Sequence, residues 1–304
     1  MFGAVGTSVP PFALPAQPPT GYPKRVVGPG ERAGKAKLIA EAISTHNKDS
    51  RRAKLGAKAR AMNDTVSFGY EEVSPEEKTA RVGEVFSSVA KKYDVMNDAM
   101  SGGMHRLWKD KFVRRVKPQP GEQILDMAGG TGDIAFRLAE RGANVTVSDI
   151  NQDMLDVGIE RAIERGLDDL VWSRQNAEEL SFPDRFFDAY TIVFGIRNVT
   201  HIDRALAEAH RVLRRGGRFF CMEFSTTQWP GFKEVYDLYS HHLMPRIGQM
   251  IAGDADSYRY LAESIRRFPP MPEFEAMIRE AGFVRTRVEP ILGGAVAIHS
   301  GWKI

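Results

Sequence analysis

The sequence predicts a doubly wound α/β fold, with a mostly parallel seven-stranded sheet, helices on both faces and a C-terminal antiparallel hairpin. Three observations predict it. Strand-like and helix-like runs alternate from residue 122 to residue 224. A glycine-rich loop, Gly129-Gly130-Thr131-Gly132, joins the first of these strands to a helix. Two further strand runs meet at Gly293-Gly294, a hairpin signal.

The elements follow in order. Residues 75–92 have helical spacing, with Val82, Val85, Phe86 and Val89 on one side. Pro75 and the acids after it suit a helix start. A second amphipathic helix spans 104–116 through Leu107, Trp108, Phe112, Val113 and Val116, and Pro118, Pro120 and Gly121 end it. Strand runs then fall at 122–127, 144–149, 170–175, 187–194 and 217–224, with helical runs at 132–141, 151–165 and 201–214 between them. Such alternation implies a parallel sheet covered on both faces. A helix at 272–281 precedes Gly282 and the strand runs 283–291 and 295–303. Residues 228–270, rich in Tyr, Met and His, read as an inserted helical cap. With the helices of 75–116, this cap would cover the carboxyl ends of the strands, where open α/β sheets bind ligands.

Charge divides the chain into two parts. Residues 1–61 hold 11 Lys and Arg against 3 Asp and Glu, a net of +8, while the rest carries a net of −5. The body is therefore mildly acidic, which argues against nucleic acid as its partner. The first 23 residues are uncharged and proline-rich, unsuited to helix or central strand. Residues 1–61 are expected to be a disordered basic tail or a start-site extension with Met62 as the true start. A mitochondrial transit peptide and a lipid- or RNA-touching arm are the competing readings. Residues 62–304 are expected to form one domain. No run approaches the ~18 apolar residues that span a bilayer, and the lone Cys221 excludes an internal disulfide framework.

The sharpest motif is Asp126-Met-Ala-Gly129-Gly130-Thr131-Gly132-Asp133. Its glycines let the chain turn tightly and let a ligand approach the backbone. Asp149 ends the next strand, 19 residues after Gly130, where a carboxylate can accept hydrogen bonds from ribose hydroxyls. Gly130-x-Gly132-x-x-Ala135 also satisfies the dinucleotide fingerprint. That fingerprint places a pyrophosphate at the helix start, yet Asp126 and Asp133 flank the loop and would repel it. S-adenosyl-L-methionine, a sulfonium cation without phosphate, suits those acids better. The candidate cofactor residues are Asp126, Gly130, Thr131, Gly132 and Asp149. Asn176 and Ala177 follow the third strand; an amide there can meet an adenine edge, and a turn-forming Asn is the plain alternative.

Three stretches narrow the reading. They are Tyr93-Asp94-Val-Met-Asn97-Asp-Ala-Met100-Ser101, Phe194-Gly195-Ile196-Arg197-Asn198-Val199 and Arg211-Val-Leu-Arg-Arg-Gly216-Gly217-Arg218. With the glycine loop and Ser148-Asp149-Ile150-Asn151, they closely resemble the ubiquinone/menaquinone biosynthesis C-methyltransferase family, over roughly residues 66–304. The resemblance implies a class I methyltransferase fold. It also implies methyl transfer from S-adenosylmethionine to a ring carbon of a polyprenylated hydroquinone, either 2-polyprenyl-6-methoxy-1,4-benzoquinol or demethylmenaquinol. Carried over by motif, Thr131, Asp149, Asn176 and Ala177 bind the cofactor. Many bacterial members have Ser where Val193 stands, so a hydroxyl contact is lost there and only the backbone of Val193 can line the site.

Ring methylation needs electron density at the carbon, which an ionised neighbouring phenol provides. Arg197, just past the fourth strand, is the best-placed cation to stabilise that phenolate or to polarise a water, and Asn198 would orient the water. A salt bridge from Arg197 to Asp188 or Asp203 is the plain alternative. Tyr93, Asp94 and Asn97 are the candidate substrate residues. Met100, Met104, Trp108, Tyr236, Tyr239, Met244 and Met250 could line an apolar path for the prenyl tail, though each taken singly is read first as a core residue. No metal is expected, since the histidines are scattered and His241-His242 would diverge by roughly 100° on a helix. The expected partners are a polyprenylated quinol and a bilayer surface without a spanning helix. A quinone-biosynthesis complex and a homodimer are left open. This places the chain peripheral to a bacterial inner membrane on its cytoplasmic side, or in a mitochondrial matrix if residues 1–61 are a transit peptide. Methylation of O or N on another acceptor, a scaffold role and a nucleotide-dependent oxidoreductase are the rival functions.

Overall fold

The computed structural model describes residues 65–90, 97–98, 101–225 and 255–304. The expectations for the tail, for Tyr93, Asp94 and Met100, and for residues 228–254 of the cap lie outside the described residues.

The chain begins with a two-stranded antiparallel hairpin, β1 (Val66–Phe68) and β2 (Glu71–Val73). Helix α1 (Pro75–Val89) follows, capped by the Ser74 hydroxyl, which accepts the Glu77 N–H at 3.1 Å. Helix α2 (Met104–Val116) buries Trp108, Phe112, Val113 and Val116. Leu107, placed by sequence on that apolar face, is 67% exposed. It lies about 100° from Trp108 on the helix, and only one arc can face the sheet.

The central sheet comes next. It comprises β3 (Gln123–Met127), β4 (Asn144–Asp149), β5 (Val171–Arg174), β6 (Phe187–Val193) and β7 (Leu213–Phe224), then β8 (Val284–Ile291) and β9 (Val296–Trp302). Helices α3 (Asp133–Ala139), α4 (Gln152–Glu164) and α5 (Ile202–Val212) connect the parallel strands. Helices α6 (Ala255–Arg267) and α7 (Met271–Glu280) precede the last two strands. The strand order is β5-β4-β3-β6-β7-β9-β8. All pairs from β5 to β7 are parallel, and β9 is antiparallel to both β7 and β8.

Side-chain alternation makes the sheet two-faced. Ile124 joins Phe112, Phe136, Val147 and Ile298 in one core. Its neighbours Leu125 and Met127 join Tyr190, Leu206, Phe219 and Phe274 in the other. Both faces are thus covered, as a parallel sheet requires.

Two differences from the sequence reading stand out, a helix end and an additional hairpin. The helix expected to reach 214 stops at Val212, because Leu213 takes extended backbone and pairs with Phe187. The β1–β2 hairpin is unforeseen. It docks on α6: Phe68 stacks on Tyr260 at 4.3 Å, and Tyr70 N–H donates to Glu263 at 3.2 Å. Helix α1 meets the loop after β6, where buried Lys78 donates to the Val199 carbonyl at 3.0 Å.

The strand order reverses between β3 and β6, so the chains leaving their carboxyl ends diverge and open a crevice.

Candidate functional site

That crevice is a cavity of about 1080 Å³ counted to its open mouth. The loops after β3, β4, β5 and β6 line it, and α1 closes one side through Thr79, Val82 and Phe86.

The loop after β3 is shaped by close approaches. Ala128 sits at φ +51°, and Gly130 and Gly132 at +51° and +86°. A Cβ on Gly129 would lie 2.6 Å from Val147 Cγ1, so that position must stay bare. Gly132 N–H closes the turn on the Gly129 carbonyl at 2.9 Å. The loop after β6 mirrors this: Phe194 sits at φ +55°, and a Cβ on Gly195 would lie 2.4 Å from Ala128 Cβ. Strained backbone therefore marks both walls of the crevice.

Three aspartates border the cavity, in different states. Asp126, at the end of β3, is 1% exposed. Its Oδ1 accepts the Thr191 hydroxyl at 2.7 Å, and its Oδ2 has no partner among the described residues. Burial pushes its carboxyl up to about 7. Asp149 accepts Gly130 N–H at 3.0 Å and Asn151 N–H at 2.9 Å. Burial raises its pKa and these bonds oppose the rise. Asp133 is held by Lys109 at 2.8 Å and Arg137 at 3.3 Å. Burial alone would raise it, but these cations bring it down to about 2. The sequence argument set Asp133 against a pyrophosphate; paired with Lys109, it presents no net negative charge. Asp126 and Asp149 carry that argument instead.

The remaining candidates fall as follows. Thr131 is buried and its hydroxyl accepts from Arg161 at 2.6 Å. Asn176 lines the cavity, and its Oδ1 accepts Glu178 N–H at 3.0 Å, the turn geometry that was its plain alternative. Ala177 is buried beside it and Val193 also lines the cavity. Asn198 lines the cavity, from the 3-10 turn Ile196–Asn198. Arg197 does not. Its Nη1 lies 2.8 Å from Glu223 Oε1 and 2.6 Å from the Phe194 carbonyl, and its guanidinium sits over the Phe224 ring at 5.5 Å. Its carboxylate partner is Glu223, neither Asp188 nor Asp203. Asn97 is buried, but it is not among the cavity residues. Of the apolar-path candidates that are described, Trp108 joins the core and Met104 is 37% exposed.

Sequence reasoning missed Lys109 and Glu178. Lys109 stood between Trp108 and Phe112 on a helix face that is otherwise apolar, and that misplaced charge was the available signal. Glu178 lines the cavity, and its Oε1 accepts the N–H groups of Thr200 at 2.9 Å and His201 at 3.1 Å.

The residues present fit the methyl donor that the sequence resemblance implies. The unpartnered buried Oδ2 of Asp126 offers an acceptor to a cationic amine. Asp149, at the end of the neighbouring strand, offers its carboxylate to a diol. The lysine beside the glycine loop, Lys109, is already paired with Asp133.

Comparison with known proteins adds four findings. A family model described as the ubiE/COQ5 methyltransferase family matches residues 74–303. The ubiquinone/menaquinone biosynthesis C-methyltransferase UbiE of Zymomonas mobilis subsp. mobilis is 65% identical over 241 residues, covering 79% of this chain and all of that protein. The mitochondrial 2-methoxy-6-polyprenyl-1,4-benzoquinol methylase of Arabidopsis thaliana is 52% identical over 260 residues, covering 79% of this chain and 90% of that one. Among solved structures, a methyltransferase of Thermotoga maritima described as S-adenosylmethionine-dependent superposes with a TM-score of 0.52 at 19% identity, covering 73% of this chain and 99% of that one. That last likeness shows the fold alone.

Proposed function

The chain belongs to the ubiE/COQ5 methyltransferase family, and from that premise we propose that its cavity methylates a ring carbon of a polyprenylated hydroquinone. It is an S-adenosylmethionine-dependent methyltransferase. The acceptor class follows the relatives' names: a 2-polyprenyl-6-methoxy-1,4-benzoquinol, a demethylmenaquinol, or both. The observation that carries the reading is the convergence of Asp126, Asp149 and Asn198 on one cavity at the reversal of strand order.

When bound, S-adenosylmethionine supplies an electrophilic methyl group on a cationic sulfur. Asp126 would hold its ammonium and Asp149 its ribose, with Thr131, Asn176, Ala177 and the backbone of Val193 completing the wall. Asn198 faces the acceptor and steadies the oxygen whose negative charge activates the ring carbon. Arg197 stands behind Asn198 and fixes the turn through Glu223 and the Phe194 carbonyl. Helix α1 and the apolar residues Val82 and Phe86 exclude water, which strengthens each of these interactions. Tyr93 and Asp94 are assigned to the ring pocket by motif.

We also propose peripheral contact with a bilayer, because a polyprenylated quinol resides there; among the described residues no helix is long and apolar enough to cross a membrane. The quinone profile of cells lacking the gene tests the acceptor. Accumulation of the unmethylated precursor, reversed by the intact gene, is expected; an unchanged profile refutes the reading.

A further inference from the structure

Asn198 is held from outside its own loop. The Tyr260 hydroxyl, on α6, lies 3.0 Å from Asn198 Oδ1. Tyr260 is 6% exposed, and its ring stacks on Phe68 at 4.3 Å with the planes 16° apart. Asn198 lines the cavity, so this hydrogen bond joins the α6 layer directly to the cavity wall.

A buried neutral phenol must place its one proton on an acceptor. Here that acceptor is the Asn198 carbonyl, which leaves the two amide N–H donors of Asn198 for other partners. We propose that Tyr260 is a positioning residue for methyl transfer, orienting the Asn198 amide so that it presents donors to the oxygen of the aromatic acceptor. The proposal deepens the quinol reading and rests on it. Burial drives the Tyr260 pKa up to about 12, so the phenol remains a donor at any working pH. Two further latches hold the same loop, Lys78 on the Val199 carbonyl and Glu178 on the N–H groups of Thr200 and His201. Of these contacts, Tyr260 alone touches the side chain of Asn198 and can set its rotation.

Tyr260→Phe removes the hydroxyl and keeps the ring that stacks on Phe68. With a short-chain prenylated quinol and S-adenosylmethionine, kcat is expected to fall about tenfold, the size of one lost hydrogen bond. KM for S-adenosylmethionine, S-adenosylhomocysteine affinity and Tm are expected to stay at wild-type values. Asn198→Ala is expected to lower kcat on its own, and adding Tyr260→Phe to it should cost nothing more. Wild-type kcat in Tyr260→Phe, or additive losses in the double variant, would overturn the proposal. If the wild-type protein methylates no quinol at all, the acceptor reading fails first and takes the proposal with it, an outcome distinct from either.

Discussion

Arg197 Nη1 lies 2.8 Å from Glu223 Oε1, and the two side chains are 3% and 0% exposed. Glu223 is the last residue but one of β7 and Arg197 lies past β6, so the pair ties two neighbouring strand ends beside the cavity. Removing one partner strands the other charge in the interior. Glu223→Leu is expected to cost about 3–5 kcal/mol in urea unfolding. Adding Arg197→Met should recover most of that stability but not activity. A Glu223→Leu protein as stable as wild type would show that the pair does not hold the turn.

Asp126 gives the site a pH signature. Burial lifts its carboxyl to about 7, so in the unliganded protein it is mostly protonated at pH 6. A cationic amine needs it ionised. Affinity for S-adenosylhomocysteine, measured by calorimetry, is therefore expected to rise by up to about tenfold from pH 6 to 7. Asp126→Asn should bind more weakly and lose this slope. The stability effect has the opposite sign. A carboxyl whose folded pKa is raised loses stability as pH climbs from about 4 to 7, so unliganded Asp126→Asn should gain stability at pH 8.

Asp149→Ala tests the ribose assignment. Loss of hydrogen bonds to a charged group costs about 1.5–3 kcal/mol, so KM for S-adenosylmethionine should rise roughly 10- to 100-fold. Asp149 also anchors Gly130 N–H, and the loop should loosen with it. An unchanged KM would remove Asp149 from the cofactor site.

The central sheet and the glycine loop were legible because their signals are local. The alternation along 122–224 gave the parallel strands, and Asp126 and Asp149 announced themselves by spacing. What stayed hidden depends on long-range partners. Glu223 is 26 residues from Arg197 and carries no mark of the pairing. Lys109 neutralises Asp133 across 24 residues, removing one of the acids that the chain pattern set against a pyrophosphate. The strands Val66–Phe68 and Glu71–Val73 have three residues each, too few to show a period of two. Leu107 fitted the apolar pattern of its helix and still faces outward, since pattern cannot say how wide the buried arc is.

His299, on β9, is 1% exposed and packs edge-on against Phe274 at 4.8 Å. Burial lowers its pKa to about 4, below the unfolded value of about 6.5. The unfolded chain therefore takes up a proton first as pH falls. Stability is expected to be full above pH 6.5 and to decline by about 3 kcal/mol by pH 4 from this group. His299→Gln should flatten that part of the pH–stability curve; an unchanged slope would assign acid sensitivity elsewhere.

The most direct measurement is the position of the new methyl group. Purified protein is incubated with a reduced demethylated prenyl quinol and S-adenosylmethionine bearing a 13C-labelled methyl, and the product is examined by NMR. The account requires the label as a ring C–CH3. A methoxy signal, or label left wholly on the donor while a control enzyme turns the same quinol over, would contradict it.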